Sequence, residues 1–360
     1  MIRKSPLFFS FLLAWSCSGV MAQTGIDSFI RQKADSLFKA EKVPGIFVGL
    51  LDNGVATYFN FGYADPAKKM PFDSATIFEA GSITKTFTAF ILVAVLKEKG
   101  IDEKSSVLPY LPDSVRKNKN LEDISFLNLM NHTSGLPRLP GNMSLTENQL
   151  APYDHYTSAD LFAYLKTAKP KPDGKSNYSN LGMGLAGVLA ERISGKSYAA
   201  LLDAYIFLPF HLVTPANGLA NAAENKSQGY FADAPSAYWN MDVLAPAGGL
   251  KCSAKEMLGY LKEISMPQNA AAKAIVDTLL QPTVILNKKV SVGRAWHTLE
   301  EKDKPVIYWH NGGTYGFSTF AAFIKGGKEA VIVVVNQFNM NKVSDGLGIS
   351  IMNKLIEADK

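Results

Sequence analysis

Cysteine is nearly missing from this 360-residue chain, which contains only Cys17 and Cys252. We expect Cys17 to be lost with an N-terminal leader, so Cys252 would have no partner for an intramolecular disulfide bond. Histidine is scarce too, and none of the five residues shows the H-E-x-x-H spacing that is typical of zinc hydrolases. These absences predict a fold that is stabilised by its hydrophobic core and that uses neither a metal ion nor a cofactor.

Runs of like charge are absent as well. The 37 basic and 32 acidic residues are dispersed along the chain, with no basic stripe interleaved with aromatic residues. Nucleic acid is therefore not an expected partner. Neither the N-terminal apolar run nor any later segment is long enough for a membrane-spanning helix. The hydrophobic content of 47% is ordinary for a globular protein.

The N-terminus predicts export. Two basic residues precede an apolar run over residues 7–15, and Val20 and Ala22 supply the small residues of a cleavage site. This pattern predicts a signal peptide over residues 1–22 and a secreted, periplasmic protein. In the alternative interpretation Cys17 is the lipid-modified N-terminus of a lipoprotein, but the residues before it fit that signal less well.

Strand-like segments near the two ends of the chain predict one antiparallel sheet. Around Asn53-Gly54, a strong hairpin signal, two runs rich in β-branched and aromatic residues cover 46–62. Three similar runs lie between residues 306 and 338. Helical periodicity flanks the strands on both sides, with Asp27 as the N-cap of the first helix and about 343–356 as the last helix.

The long middle of the chain combines helix-period segments with loops rich in proline, asparagine and glycine. We therefore predict an α/β (α+β) fold, in which an antiparallel sheet is flanked by N- and C-terminal helices and a mostly helical region is inserted. In this interpretation residues 23–70 and 246–360 form the sheet region, and residues 71–245 form the helical region. The active site would lie between the two.

The stretch EAGSITKTFTAF, at residues 79–90, contains residues that can carry chemistry. Ser82 and Lys85 are three residues apart at the start of an apolar helix, so their side chains would lie on one face. Burial lowers the pKa of an amine, and a neutral amine can remove the proton of a serine hydroxyl. Taken alone, however, S-x-x-K is common, and an N-cap serine beside an exposed lysine is the simpler explanation.

Two further motifs accompany this pair. Y-S-N at residues 178–180 lies in a polar break before another apolar helix, and H-N-G-G at 310–313 ends a strand-like run. With these motifs in this order the sequence resembles the serine β-lactamase and penicillin-binding protein superfamily. The resemblance is to its class C-like branch, which includes AmpC-type β-lactamases, D-alanyl-D-alanine carboxypeptidases, D-aminopeptidases and related esterases. NHTSGLP at 131–137 and PAGGLKCSAKEM at 246–257 add to it.

The resemblance implies a serine hydrolase that works through an acyl-enzyme. It implies that Ser82 attacks the substrate carbonyl and that Lys85 and Tyr178 form the proton relay. The backbone N–H groups of Ser82 and Gly313 would form the oxyanion hole. The implied substrates are β-lactams, D-alanyl peptides or related small-molecule or peptidoglycan-derived acyl donors.

The resemblance also implies a set of substrate-binding residues, namely Asn180, His310, Asn311, Gly312 and Gly313. His310 stands where β-lactamases of this branch usually have lysine, and an imidazole with an ordinary pKa is mostly neutral at pH 7. H-x-G is closer to the peptidases and esterases of the branch than to efficient β-lactamases. We expect His310 to assist substrate binding or proton transfer, with Arg138 and Arg294 as candidates for the missing cation.

Other functions are less well supported by the sequence. GMGLAG at 182–187 matches the G-x-G-x-x-G pattern of dinucleotide-binding proteins, but that fingerprint needs a strand directly before the first glycine. The polar KPDGKSNYSN precedes it here, so we interpret these glycines as a site of close helix packing. A class C-like carboxylesterase and a non-hydrolytic penicillin- or peptidoglycan-binding module remain the alternatives.

Overall fold

A mixed α/β architecture is built around one antiparallel sheet. The computed structural model describes residues 18–144, 151–212, 218–219 and 224–358, with the side chains of the first helix described from Gly25. Its strands are β1 (Gly45–Asp52), β2 (Val55–Gly62), β3 (Ile77–Glu79), β4 (Gly229–Phe231), β5 (Ala234–Ser236), β6 (Lys251–Ser253), β7 (Val284–Ile285), β8 (Val290–Val292), β9 (His297–Leu299), β10 (Ile307–Gly313), β11 (Ser318–Ile324) and β12 (Ala330–Val335).

Helices cover the sheet and fill the middle of the chain. They are α1 (Ser18–Glu41), α2 (Thr84–Lys99), α3 (Asp113–Arg116), α4 (Phe126–Met130), α5 (Ser158–Leu165), α6 (Asn180–Ser194), α7 (Tyr198–Leu202), α8 (Ala245–Gly248), α9 (Ala254–Ser265), α10 (Ala270–Leu280) and α11 (Asn341–Ala358). None of the helices in the described ranges has the length and apolar character needed to cross a membrane.

The central sheet joins the two ends of the chain, as predicted. Its eight strands follow the order β2-β1-β12-β11-β10-β9-β8-β7. The N-terminal hairpin turns at Asn53-Gly54 as expected, and β1 pairs antiparallel with β12 from Ile46 opposite Val335 to Leu51 opposite Ala330. The predicted fold class, an antiparallel sheet flanked by terminal helices with a helical insertion, is therefore confirmed.

The N-terminal helix differs from the prediction in its extent. α1 already includes Ser18, so the expectation that Asp27 caps its start was wrong. The predicted cleavage site after Ala22 falls within this helix. Most of the predicted signal peptide, including Cys17, lies outside the described residues.

The two faces of the sheet have different partners. Successive residues of a strand point to opposite faces, and β1 follows this rule. Ile46, Val48 and Leu50 pack in the hydrophobic cluster that contains α1 and α11, whereas Phe47 and Leu51 pack in the larger cluster beneath the helical region. Burial on both faces explains why β1 reads as an unbroken apolar run rather than an alternating one.

Helices from both parts of the chain surround α2. Its residues from Thr84 to Leu96 are buried, because α6, α8 and α10 pack around it. The glycines of GMGLAG lie inside α6, where a Cβ on Gly187 would be 2.2 Å from Cγ of Pro246. Close approach of two backbone segments therefore explains this motif, as interpreted from the sequence.

Candidate active site

Ser82 lies at a sharp turn between β3 and α2. The chain leaves β3 through Ala80 and enters a short 3-10 helix, Gly81–Ile83, that continues directly into α2. Gly81 has φ of +54°, and a Cβ there would be 2.7 Å from the backbone nitrogen of Gly313. Only glycine suits a position that is both left-handed and this crowded. The turn therefore brings Ser82 against the end of β10.

Lys85 is buried one helical turn after Ser82. Its Nζ is 3.1 Å from Oγ of Ser82, and it donates a hydrogen bond of 2.5 Å to the carbonyl of Ala247 in α8. Its side chain has no solvent exposure. Burial, assisted by the positive charge of Arg138, holds the pKa of Lys85 well below its ordinary value. A buried amine with a lowered pKa beside a hydroxyl is the arrangement that S-x-x-K predicted.

Tyr178 lies between the side chains of Lys85 and Arg138. The ring centroid is 4.8 Å from Nζ of Lys85 and 5.1 Å from the guanidinium carbon of Arg138. Burial nevertheless raises the pKa of its phenol to about 12, although contact with the Ser82 side chain and the charge of Arg138 act in the opposite direction. The phenol therefore keeps its proton at neutral pH and is suited to donate it.

The end of β10 completes the arrangement. β10 pairs with β9 only as far as Trp309, whereas it pairs with β11 as far as Gly313. A Cβ on Gly312 would be 2.1 Å from the carbonyl oxygen of Ala80, so the absence of a side chain permits this contact. The hydroxyl of Thr319, on β11, donates to the same carbonyl at 2.9 Å.

His310 is interior, which the sequence could not indicate. Its side chain is 1% exposed and does not line the cleft at Ser82. Its Nδ1 is 2.6 Å from the carbonyl oxygen of Asn311, so Nδ1 carries the proton. Burial, and then the neighbouring His297, Lys85 and His132, hold its pKa well below the ordinary value. His310 is thus outside the lining of the cleft, and its assistance to substrate binding or proton transfer stays a prediction.

Asn311 and Gly312 both form hydrogen bonds with α11. The amide of Asn311 donates to Oδ2 of Asp345 in α11 at 2.6 Å, and the carbonyl of Gly312 accepts from Asn341 at 2.8 Å. Neither residue lines the cleft, whereas Gly313 does. Asn311 and Gly312 thus connect β10 to α11 and leave Gly313 at the cleft.

His132 belongs to the same buried group of imidazoles. Its Nδ1 accepts the backbone N–H of Ser179 at 3.2 Å, so its proton is on Nε2, and its ring is 4.6 Å from that of Tyr178. Burial and nearby cationic groups lower its pKa to about 3, and burial lowers that of His297 to about 4. With His310, these rings form a neutral layer behind Lys85 and Tyr178.

This neutral layer predicts how stability depends on pH. The unfolded chain binds protons at its histidines near pH 6.5, whereas the folded chain leaves His132 and His297 neutral until about pH 3 and 4. The free energy of unfolding should therefore fall as the pH is lowered from 7 to 5, by about 2 kcal/mol in total for each such histidine. Urea unfolding at several pH values measures this slope.

A matched pair of variants isolates the effect. His132→Gln removes one buried titrating ring and should reduce the slope, whereas His211→Gln removes an exposed histidine and is the control. A free energy of unfolding that is constant between pH 7 and 5 in the native protein would contradict the interpretation.

A cleft of about 250 Å³ opens above Ser82. Asn180 and Gly313 contribute to its lining, as expected from the motifs. The amide oxygen of Asn180 is buried without a hydrogen-bond partner among the described residues, so it is available to accept an N–H group. A larger cavity, of about 820 Å³, lies near Ser253 and Lys262, and the residues described around it include none of the predicted catalytic or substrate-binding residues.

Sequence reasoning missed the aromatic wall of the cleft. The rings of Tyr153, Trp239, Tyr315 and Phe338 form a continuous row, with neighbouring centroids 4.9, 4.9 and 5.5 Å apart. All four line the cleft. They come from separate loops without periodicity, and the only available signal was the presence of large aromatic residues in polar, turn-rich segments.

Sequence reasoning also gave no role to Glu79. This buried carboxylate accepts a hydrogen bond of 2.7 Å from the hydroxyl of Thr314 and one of 2.6 Å from the backbone N–H of Trp239. It thereby holds two walls of the cleft in place. A lone acidic residue in the otherwise apolar run IFEA was the available signal, because a carboxylate is rarely buried without partners.

Comparison with known proteins identifies the chain's relatives. The β-lactamase family model matches residues 26–352. A β-lactamase of Providencia stuartii is 27% identical, over 93% of both chains, and a β-lactamase of Escherichia coli (strain K12) is 24% identical, over 96% of this chain and 97% of that protein. Penicillin-binding protein 4* of Bacillus subtilis is 24% identical, over 79% of this chain and 66% of its own length.

The family match extends from α1 to α11 and includes all the residues that surround Ser82. The antiparallel sheet with its helical insertion is consistent with the same family. The chain belongs to the β-lactamase family.

Proposed function

We propose that the protein is an exported serine hydrolase of the β-lactamase and D-alanyl-D-alanine peptidase type, which cleaves β-lactam, D-alanyl-peptide or related acyl substrates through an acyl-enzyme on Ser82. One observation carries the proposal, namely the fully buried amine of Lys85, 3.1 Å from Oγ of Ser82 and with a lowered pKa. The family match supports the same reaction class.

Lys85 acts as the base in the acylation step. Its neutral amine accepts the proton of the Ser82 hydroxyl while Oγ forms a bond to the substrate carbonyl carbon. The negative charge that develops on the carbonyl oxygen is stabilised by the backbone N–H groups of Ser82 and Gly313, which the turn at Gly81 holds close together. The first step leaves an ammonium at Lys85 and a tetrahedral intermediate.

Tyr178 acts as the acid in the collapse of that intermediate. Its phenol, with a pKa of about 12, gives its proton to the leaving nitrogen or oxygen as the bond to carbon breaks. Lys85 then passes its proton to Tyr178, which restores both side chains. The net result is the transfer of one proton from the hydroxyl of Ser82 to the leaving group. In the second step water attacks the acyl-enzyme, the same proton transfers run in reverse, and the acid is released. Asn180 binds an N–H group of the acyl chain.

The division of the chain into a sheet region (23–70 and 246–360) and a helical region (71–245) belongs to this proposal. Ser82, Lys85 and Tyr178 are in the helical region, whereas Gly313 and Thr314 are in the sheet region. The cleft that these residues line or adjoin therefore lies where the two regions meet, which supports a site between them. Export is supported by the signal-peptide pattern, and Gln23 as the N-terminal residue of the mature protein would establish the cleavage.

Intact-mass spectrometry tests the proposal. The native protein is mixed with benzylpenicillin, nitrocefin, a D-alanyl-D-alanine peptide and a p-nitrophenyl ester, and any adduct is located by peptide mapping. We expect an acyl group on Ser82 from at least one donor. Rapid turnover of nitrocefin would indicate a β-lactamase, a persistent penicilloyl adduct a peptidase-like enzyme, and turnover of the ester alone an esterase.

Reversible binding of labelled penicillin without a covalent adduct would instead favour a non-hydrolytic binding module. If a folded sample forms no adduct with any of the four donors, or if the adduct is on a residue other than Ser82, the proposed function is wrong.

A further inference from the structure

The end of β10, residues 310–313, is supported by one neighbouring strand rather than two. It pairs with β11 as far as Gly313, whereas its pairing with β9 stops at Trp309. A segment with fewer backbone hydrogen bonds opens more easily than the rest of its sheet. The position of Gly313, which lines the cleft at Ser82, therefore depends on what else holds this segment.

The start of α11 supplies a second attachment. The carboxylate of Asp345 accepts a hydrogen bond of 2.6 Å from the amide of Asn311. The amide of Asn341 donates to the carbonyl of Gly312 at 2.8 Å, and its oxygen is 3.3 Å from the site for a Cβ on Gly313. Each of the last three residues of β10 therefore lies against a polar side chain of α11.

α11 is a firm support for this attachment. A Cβ on Gly348 would be 2.2 Å from Cδ1 of Phe320, so the helix lies directly against β11. Phe320 is the residue of β11 that is paired with Asn311. Beside the carboxylate, the fully buried Ser344 donates to Oδ1 of Asp345 at 3.1 Å. Two donors on opposite sides thus fix the orientation of this carboxylate.

Asp345 is an unusual residue for this place. Burial raises its pKa, and hydrogen bonds from Asn311, Ser344 and Asn341 oppose the rise. Among the described residues no lysine or arginine pairs with it, and a half-buried carboxylate without a cation is costly for stability. It is not among the described residues that line the cleft, so any effect on a substrate passes through Asn311.

We propose that Asp345 is a positioning residue, which fixes the amide of Asn311 and thereby directs the backbone N–H of Gly313 at the carbonyl oxygen of the acyl donor. The inference rests on the proposed acyl transfer to Ser82. An oxyanion-hole donor is effective when it is about 2.7–3.1 Å from the developing oxyanion. Displacement of the strand end should therefore lower kcat more than it changes KM.

Two esters that differ in one atom test the proposal. They are p-nitrophenyl acetate and its thiono analogue, in which sulfur replaces the carbonyl oxygen. Sulfur is larger and accepts hydrogen bonds less well, so N–H groups placed for an oxyanion favour the oxygen ester. We expect Asp345→Val to lower kcat for the oxygen ester by about 10- to 100-fold, with little change in KM and a smaller preference for the oxygen ester. The preference is a ratio of two kcat/KM values from one sample, so any inactive fraction cancels.

A conservative variant and a control accompany this measurement. Asp345→Asn keeps an acceptor for the amide of Asn311 and should remain within about fivefold of the native kcat. Glu357→Val removes an exposed carboxylate at the other end of α11, where it pairs with Lys354, and should behave as the native protein. An asparagine variant as impaired as the valine variant would overturn the proposal, because the hydrogen bond would then not be the cause.

Hydrogen exchange separates this inference from the proposed function. In the free protein, Asp345→Val should speed amide exchange in residues 310–313 and leave β1 and β12 unchanged. If the native protein forms no acyl-enzyme but this local change occurs, the proposed function fails and the attachment of β10 through Asp345 stands.

Three results would overturn the inference. Native exchange in residues 310–313 of Asp345→Val would show that the carboxylate does not hold the strand. An unchanged preference for the oxygen ester would show that Gly313 has not moved. Equally faster exchange in β1 would assign Asp345 to the stability of the whole fold.

Discussion

Replacing Lys85 with methionine is expected to slow the acylation of Ser82 by about 10²- to 10⁴-fold, the usual contribution of a positioned base. Nζ of Lys85 is 3.1 Å from the hydroxyl oxygen, and burial makes the amine a proton acceptor. Methionine has a similar volume but cannot accept that proton. Single-turnover acylation with a chromogenic donor measures the rate, and Ser82→Ala gives the baseline.

The stability of this variant gives a second, independent readout. A fully buried amine is costly to desolvate, and methionine avoids this cost. The variant loses the hydrogen bond to the carbonyl of Ala247, so its free energy of unfolding should be at most about 1–3 kcal/mol below that of the native protein. Lys97→Met, at the exposed end of the same helix, is the control. Acylation by Lys85→Met at a rate within tenfold of the native rate would show that the proton leaves Ser82 by another path.

Replacing Gly312 with alanine should damage both the fold and the acylation step. The new methyl group would be 2.1 Å from the carbonyl oxygen of Ala80 and 2.3 Å from the hydroxyl of Thr319, so β10 has to move away from the turn that holds Ser82. Such overpacking usually lowers the free energy of unfolding by about 1–3 kcal/mol. Displacement of the N–H of Gly313 should lower kcat/KM by about 10²- to 10³-fold.

Gly346→Ala is the matched control for that prediction. Gly346 is exposed in α11, and no heavy atom lies within 4 Å of the site for a Cβ. Alanine there should leave kcat/KM unchanged and raise stability by up to about 1 kcal/mol, because glycine is unfavourable inside a helix. Urea unfolding and steady-state kinetics cover both variants. Native-like stability and kinetics in Gly312→Ala would mean that the strand is not held against Ser82.

Those parts of the site that depend on local spacing could be read from the sequence. Ser82 and Lys85 meet because they are three residues apart at the start of one helix. The hairpin at Asn53-Gly54 is local in the same way. The residue types of the motifs thus indicated the chemistry, and the fold class followed from strand-like runs at both ends of the chain.

The remaining features depend on contacts between distant segments. His310 is interior because the end of β10 packs against groups that include His132 and His297, which no pattern near residue 310 reveals. The sequence favours neither Arg138 nor Arg294 as the missing cation. Only the structure distinguishes them, because it shows Arg294 paired with Glu103. The aromatic wall could not be predicted from the sequence either, because its rings come from loops without periodicity.

The pairing of β1 with β12 has a consequence for synthesis of the chain. β1 emerges from the ribosome long before its partner, which extends from Ala330 to Val335. Until then an apolar edge, GIFVGLLD, is open to any other strand. Contacts this distant in sequence slow folding, so a nascent chain that stops before residue 330 should aggregate rather than yield a smaller folded protein.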